Sequence, residues 1–125
     1  MGYSDIERAR AGQAALRRII DGYVGPGADR RALRRVVDLC GELADAVDDD
    51  YCRAKVHSVA EYAAELLSQA EPRARGAIPG VDFLRQQIRG ALELLQSRLY
   101  SLERTRRFGQ HYAQGGFGAV HAAKR

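Results

Sequence analysis

Residues 33–67 decide the fold of this chain, and they read LRRVVDLCGELADAVDDDYCRAKVHSVAEYAAELL. Apolar residues recur at spacings of three and four positions before the three aspartates, and a second series with the same spacing follows them. At about 100° per residue, the centre of the apolar stripe rotates by roughly 130° across residues 48–50. A straight helix cannot turn both stripes toward one core. Because aspartate is a poor helix former and a good N-cap, we expect the chain to break there into two helices.

Two further helices flank this pair. Ser4 and Glu7 form a capping box before a first apolar series, and a last series begins near Asp82. We therefore predict helices at about residues 4–24, 29–47, 50–71 and 82–108, with Asp29 capping the second. The alternation typical of strands is missing from the sequence. The pattern predicts an all-α fold, an up-down antiparallel four-helix bundle over residues 1–108.

Residues 109–125 differ from the preceding chain, because they are rich in glycine and have no amphipathic period. We expect a flexible basic C-terminal tail there, whose aromatic residues could dock on a protein partner. Gly12, Gly41 and Gly90 fall inside predicted helices, where each costs about 1 kcal/mol relative to alanine. Close crossing of neighbouring helices is the reason that we expect for all three.

The composition indicates a single soluble domain of 125 residues. No secretory signal and no apolar run of membrane-spanning length is present, so we expect a cytoplasmic protein. Cys40 and Cys52 are too few for a disulfide framework or a zinc finger, and we expect buried, reduced thiols and no metal or cofactor. Many alanines predict a lean core, which favours a homo-oligomer, a dimer or higher.

Basic charge is concentrated at one end of the predicted bundle. Residues 1–65 hold ten basic and twelve acidic side chains, whereas residues 66–125 hold ten basic and four acidic ones. Antiparallel helices would gather nine arginines at one end, which we name the arginine pole: Arg17, Arg18, Arg30, Arg31, Arg34, Arg35, Arg73, Arg75 and Arg85. Guanidinium forks and helix N-termini both suit phosphate, which indicates binding of an RNA or DNA backbone. The alternative is a solvated basic end, neutralised by Asp21, Asp29, Glu71 and Asp82.

Two histidines are candidates for a catalytic role. His57 lies on the predicted third helix, but the histidine phosphotransfer family has Lys and Gly where Ala60 and Glu61 stand here. A partly buried or capping role is therefore expected for His57. Arg106 and His111 have an R-x4-H spacing, which is similar to the ribonuclease motif of HEPN domains, themselves helical bundles that commonly dimerise to build the site. That resemblance implies a catalytic pair at these two positions.

Signatures of serine, cysteine and carboxylate nucleophiles are absent from the sequence, as are phosphate-cradling glycine loops. Our leading hypothesis is therefore a non-catalytic, self-associating helical interaction or accessory protein whose arginine pole binds a nucleic-acid backbone. The alternative hypothesis is a HEPN-like ribonuclease that uses Arg106 and His111.

Overall fold

A computed structural model describes residues 3–25, 27–68 and 80–115, with side chains over 5–25, 27–68 and 80–105. It contains four helices: α1 (Tyr3–Gly22), α2 (Arg30–Ala46), α3 (Asp50–Leu67) and α4 (Val81–Gly115). No strand occurs in these ranges. The all-α four-helix bundle predicted from the sequence is confirmed.

Each helix packs against two others, so that the four form a closed ring in chain order. The direction of α4 relative to α1 follows from their ion pairs. Arg10 near the start of α1 binds Glu103 late in α4 at 2.7 Å, and Asp21 at the end of α1 binds Arg89 early in α4 at 2.8 Å. The two helices are therefore antiparallel. Short connections reverse the chain on either side of α2, which gives the up-down arrangement.

The core lies along the ring's inner faces, and α4 contributes more large, fully buried side chains to it than any other helix. Its buried residues are Leu84, Ile88, Ala91, Leu92, Leu95 and Leu99. Their spacing of three and four positions is the inward stripe that the sequence predicts. One polar side chain enters this core: Gln13 of α1 is buried, and its Nε2 donates a hydrogen bond to the carbonyl oxygen of Leu92 at 3.0 Å. This bond spans the α1–α4 interface and gives the buried amide donor of Gln13 a partner.

The connection between α2 and α3 confirms the predicted break at the aspartates. Val47 is fully buried in an extended conformation, and Asp49 is the N-cap of α3, accepting a hydrogen bond from the backbone N–H of Cys52 at 3.0 Å. The Arg98 guanidinium of α4 also donates two hydrogen bonds to the Asp49 carboxylate, from Nη2 to Oδ1 at 2.8 Å and from Nε to Oδ2 at 3.1 Å. The Asp49 carboxylate thus caps the start of α3 and also joins α3 to α4. The sequence predicted the cap but not this pairing.

The loop between α1 and α2 depends on a glycine. Gly25 has φ +45°, and a Cβ added there would lie 2.8 Å from the hydroxyl oxygen of Tyr23, whose ring is buried under the loop. Tyr23 in turn donates a hydrogen bond to the carbonyl oxygen of Gly27. The loop ends where the backbone N–H of Asp29 donates to the carbonyl of Leu67, 2.8 Å away at the end of α3. As predicted, the Asp29 carboxylate then caps α2 by accepting from Ala32.

Close crossing of helices, the reason expected for all three helical glycines, applies among the described residues only to Gly12. A Cβ on Gly12 would meet the Leu43 side chain at 3.4 Å, so this glycine does lie at a close crossing of α1 and α2. Gly41 and Gly90 have no described neighbour within 4 Å of such a Cβ. Close packing within the described part of the chain therefore does not account for these two.

The helix ends differ from the predicted ones by one or two residues in α1 and α2, and by more at the ends of α3 and α4. The helical backbone of α4 continues to Gly115, beyond the end expected at Phe108, because Gly109 does not interrupt the backbone hydrogen bonds. Helix α3 closes at Leu67 with Ser68 as C-cap. Residues 69–71 of the predicted third helix and the tail at 116–125 lie outside the described residues. None of the described helices is both long and apolar enough to cross a lipid bilayer.

Replacing Asp49 with asparagine tests the charge that joins α3 to α4. Asparagine still caps a helix but cannot form the ion pair, and we expect the free energy of unfolding at neutral pH to fall by about 1–2 kcal/mol. The Arg98 guanidinium holds the pKa of Asp49 well below its unfolded value of about 3.9, so the stabilisation is complete above that value and is lost as pH falls through the folded pKa. Urea unfolding at neutral pH and below pH ~4 should show the difference from wild type shrinking in acid.

Asp50→Asn is the matched control, since Asp50 is fully exposed and pairs only with Arg53 among the described residues. Its effect should stay within about 0.5 kcal/mol. An Asp49→Asn difference that is the same at both pH values would contradict the proposed role of the ion pair.

A pair of glycine substitutions tests the α1–α2 loop. Gly25→Ala should lower the free energy of unfolding by about 1–3 kcal/mol, because alanine would have to take a positive φ against the Tyr23 ring. Gly41→Ala, in open space inside α2, should instead raise it by up to about 1 kcal/mol. Urea unfolding of both variants measures this. Equal effects of the same sign would show that the local backbone does not decide the outcome.

Candidate nucleic-acid interface at the arginine pole

The arginine pole is the end of the bundle where α1 and α3 finish and α2 and α4 begin. The described members divide into two groups, those used within the fold and those that are not. Arg73 and Arg75 lie outside the described residues.

Arg85 belongs to the first group, because its guanidinium forms hydrogen bonds within the fold. Its Nε donates to the carbonyl oxygen of Ile20 at 3.4 Å, and its Nη2 donates to the carbonyl oxygen of Tyr23. The Ile20 carbonyl lies in the last turn of α1 and also accepts from the backbone N–H of Tyr23 at 3.3 Å, whereas the Tyr23 carbonyl lies just past the helix end. Arg85 therefore caps the C-terminal end of α1 from its position on α4. Because its guanidinium is already used in this way, Arg85 is a poor candidate for binding a ligand.

Arg17 is engaged as well. Its guanidinium lies 3.6 Å from Asp21 and 3.8 Å from Glu93 across the α1–α4 interface. Asp21 also accepts a hydrogen bond from Arg89, which sequence reasoning did not single out. Only the alignment of α4 against α1 brings these charges together, so a sequence pattern could not identify them.

Four arginines on α2 form the second group, which we name the α2 arginine face: Arg30, Arg31, Arg34 and Arg35. All four are exposed, and none forms an ion pair with a described residue. At about 100° per residue they span roughly 140° of the outward side of α2, in two rows with about 6 Å between the members of each row. Arg18 of α1 is likewise exposed, without an ion pair in the described part of the chain.

Two of the four acids that were expected to neutralise this end are engaged within the fold. Asp21 pairs with Arg17 and Arg89, and Asp29 caps the backbone of α2. Glu71 lies outside the described residues, and Asp82 starts α4. The α2 arginine face thus forms no ion pair with a described residue, and the nearest acid on its own helix is Asp38, one turn beyond Arg34.

The order of charges along α2 also opposes helix stability. The first turn contains no acid and the last turn contains no base, whereas Asp38, Glu42 and Asp45 follow the arginines toward the C-terminal end. The helix dipole favours the reverse order, by about 0.3–1 kcal/mol for each charge near a terminus. A local stabilising role therefore does not explain these arginines.

The opposite end of the bundle holds the acidic run and is internally balanced. Arg53 lies 3.1 Å from Asp48 and 3.0 Å from Asp50, while Arg98 holds Asp49. Among the described side chains, no cluster of three histidines, cysteines or carboxylates could bind a metal ion.

His57 does not have the partly buried or capping role that was expected. It is exposed on α3, with its Nε2 3.2 Å from a carboxylate oxygen of Glu61 one turn later. Cys40 and Cys52 are buried free thiols, as predicted. Burial raises the pKa of Cys40 to about 11, and burial together with the nearby Asp49 carboxylate raises the pKa of Cys52 to about 12. Both thiols stay protonated at neutral pH and are poor nucleophiles.

The two residues of the HEPN-like motif lie on the helical backbone of α4. The side chains of Arg106 and His111 are outside the described part of the structure. The catalytic pair that the resemblance implies accordingly stays a sequence-based hypothesis.

We compared the chain with models of protein families, with curated proteins and with solved structures, and none of the three comparisons gives a match.

Substituting one arginine from each group at the pole tests which group contributes to the stability of the fold. Arg85→Ala should lower the free energy of unfolding by about 1–2 kcal/mol, because it removes the side-chain donor to the carbonyl of Tyr23 and one of two donors to the carbonyl of Ile20. Arg34→Ala should change it by less than about 0.5 kcal/mol, since Arg34 is exposed and has no described ion pair. Thermal and urea unfolding give both values. A large destabilisation by Arg34→Ala would mean that the α2 arginine face belongs to the fold.

Proposed function

We propose that this protein is a non-catalytic, self-associating helical accessory protein whose α2 arginine face binds the phosphate backbone of a nucleic acid. The observation that carries the proposal is the set of four exposed guanidinium groups on consecutive turns of one helix, none of them in an ion pair with a described residue. Guanidinium forks bind phosphate oxygens with two parallel hydrogen bonds, which suits a repeated anion better than a single point charge would.

The geometry favours contact along the outward side of α2 rather than at its N-terminal tip. The Asp29 carboxylate already caps the tip through the N–H of Ala32, and its negative charge disfavours a phosphate there. Arg30 and Arg34 form one row, and Arg31 and Arg35 form the other. Two rows of charge on a convex helix suit the backbone of a duplex or a single strand, and they provide no reading of base identity.

The test is binding of a short fluorescent RNA and a short duplex DNA, measured by anisotropy at two salt concentrations. Wild-type binding should weaken as salt rises, because phosphate contacts release counterions. Arg34→Ala/Arg35→Ala should reduce affinity at low salt by about tenfold or more. It should also lower the salt slope by about one for each phosphate that the variant no longer neutralises.

Arg8→Ala/Arg53→Ala is the matched control, because it removes the same charge from exposed arginines outside the arginine pole. It should leave the salt slope unchanged. No binding at low salt, or equal reductions in both double variants, would overturn the nucleic-acid part of the proposal. RNA that is cleaved by wild type but not by His111→Ala would support the HEPN-like alternative instead.

A further inference from the structure

The outward side of α4 carries a second regular pattern beside the core stripe. We name it the α4 outer seam, and its members are Phe83, Gln87, Gly90, Leu94, Ser97 and Ser101. Their spacings are four, three, four, three and four positions, which is the repeat of a two-helix coiled-coil seam. None of them is charged, in a chain where 29% of residues are charged. Phe83 and Leu94 are its large apolar members, and they are 47% and 48% exposed.

Gly90 leaves room for a partner at this seam, but an open glycine does not mark an interface by itself, since Gly41 on α2 is equally open. Gly90 lies in the interior of α4, where glycine costs about 1 kcal/mol relative to alanine, and no described atom lies within 4 Å of the Cβ that alanine would add. The described fold thus gives no reason for leaving this position bare. A side chain from outside the chain, packed closely against the backbone of α4, would do so.

We infer that the α4 outer seam pairs antiparallel with the same seam of a second copy of this chain. The inference rests on the proposed self-association and names its surface. A two-fold axis at the level of residue 92 sets every large member of the seam opposite a small one: Leu94 opposite Gly90, and Phe83 opposite Ser101. A parallel pair would instead set Phe83 against Phe83 and leave a gap between the two Gly90 residues. Size complementarity therefore selects the antiparallel pair.

The surface beside the seam fits the same register. A shallow groove lies between α3 and α4, lined by Tyr51, Leu94, Ser97, Arg98 and Ser101. The Phe83 ring of the second copy falls at the level of Ser101 and can enter it. The groove is held in shape before binding, since the Arg98 guanidinium is fixed by Asp49 and lies 5.9 Å from the centre of the Tyr51 ring. Preorganisation of this kind lowers the entropic cost of association.

The charges at the two ends of the seam's outward edge agree as well, while Glu93 between them lies near the two-fold axis and pairs with Arg17 of its own chain. Asp82 lies at the start of α4 and Arg104 lies near its end, both exposed and on the same edge. In the antiparallel register, Asp82 of one copy comes within one helical turn of Arg104 of the other. The seam from Phe83 to Ser101 is about 27 Å long, enough for about five helical turns of contact.

The test is the oligomeric state, measured by sedimentation velocity over a range of protein concentrations. Wild type should form dimers. Gly90→Leu should weaken dimerisation by about tenfold or more, because the introduced leucine would collide with Leu94 of the second copy. The same substitution should not destabilise the monomer, since Gly90 faces open space within the described chain. Gly41→Leu is the matched control on α2, also in open space, and should leave dimerisation unchanged.

An exchange of the large and small residues tests the register itself. Gly90→Leu/Leu94→Gly keeps a large residue opposite a small one and should restore the dimerisation that Gly90→Leu weakens. Phe83→Ser, which empties the groove while sparing the centre of the seam, should also weaken the dimer. Circular dichroism of each variant checks that the helices remain formed.

The outcomes separate this inference from the proposed function. A dimer that is insensitive to Gly90→Leu and Phe83→Ser would overturn the seam and leave self-association standing. A wild-type chain that stays monomeric at high concentration would overturn the seam and the proposed self-association together. Nucleic-acid binding by the same samples, with its dependence on Arg34 and Arg35, reports separately on the α2 arginine face.

Discussion

The ion pair between Asp49 and Arg98 is the interaction on which the rest of the bundle depends. The stripes of α2 and α3 can meet one core only if the chain reverses between residues 47 and 49, and Asp49 makes that reversal by capping α3. Its two hydrogen bonds with Arg98 then hold the start of α3 against α4. Because the carboxylate is only 13% exposed, water competes weakly for it. The pair also fixes the Tyr51 side of the groove beside the α4 outer seam.

The parts of this fold that could be predicted from the sequence are those that depend on residues only a few positions apart in the chain. Caps act on amides three positions away, and stripes repeat every three or four residues, so Asp29, Asp49 and the helices that follow them were predictable. Arg98 lies 49 positions from its partner and Gln13 lies 79 from its own. Contacts of this kind depend on how the helices align, and no local pattern specifies that alignment.

The same distinction explains why the arginine pole was predicted only in part. In the sequence Arg85 and Arg34 look alike, each being a basic residue in the opening turns of a helix. The structure places Arg85 over the end of α1, where two carbonyls accept from it, and leaves Arg34 at the surface. One signal did distinguish the α2 arginines from the start. A basic first turn without any acid opposes the helix dipole, which the single base at the start of α4, beside Asp82, does not do to the same degree.

The two proposed surfaces are compatible because of the order of the helices in the ring. Since α2 and α4 are diagonal to each other, a dimer paired through α4 leaves both α2 arginine faces pointing away from the interface. The antiparallel register then sends the two arginine poles to opposite ends of the dimer, separated by roughly the 30 Å length of a twenty-residue helix or more. A short oligonucleotide reaches only one face at a time. A long one can engage both, so dimerisation raises its avidity without any new contact to a base.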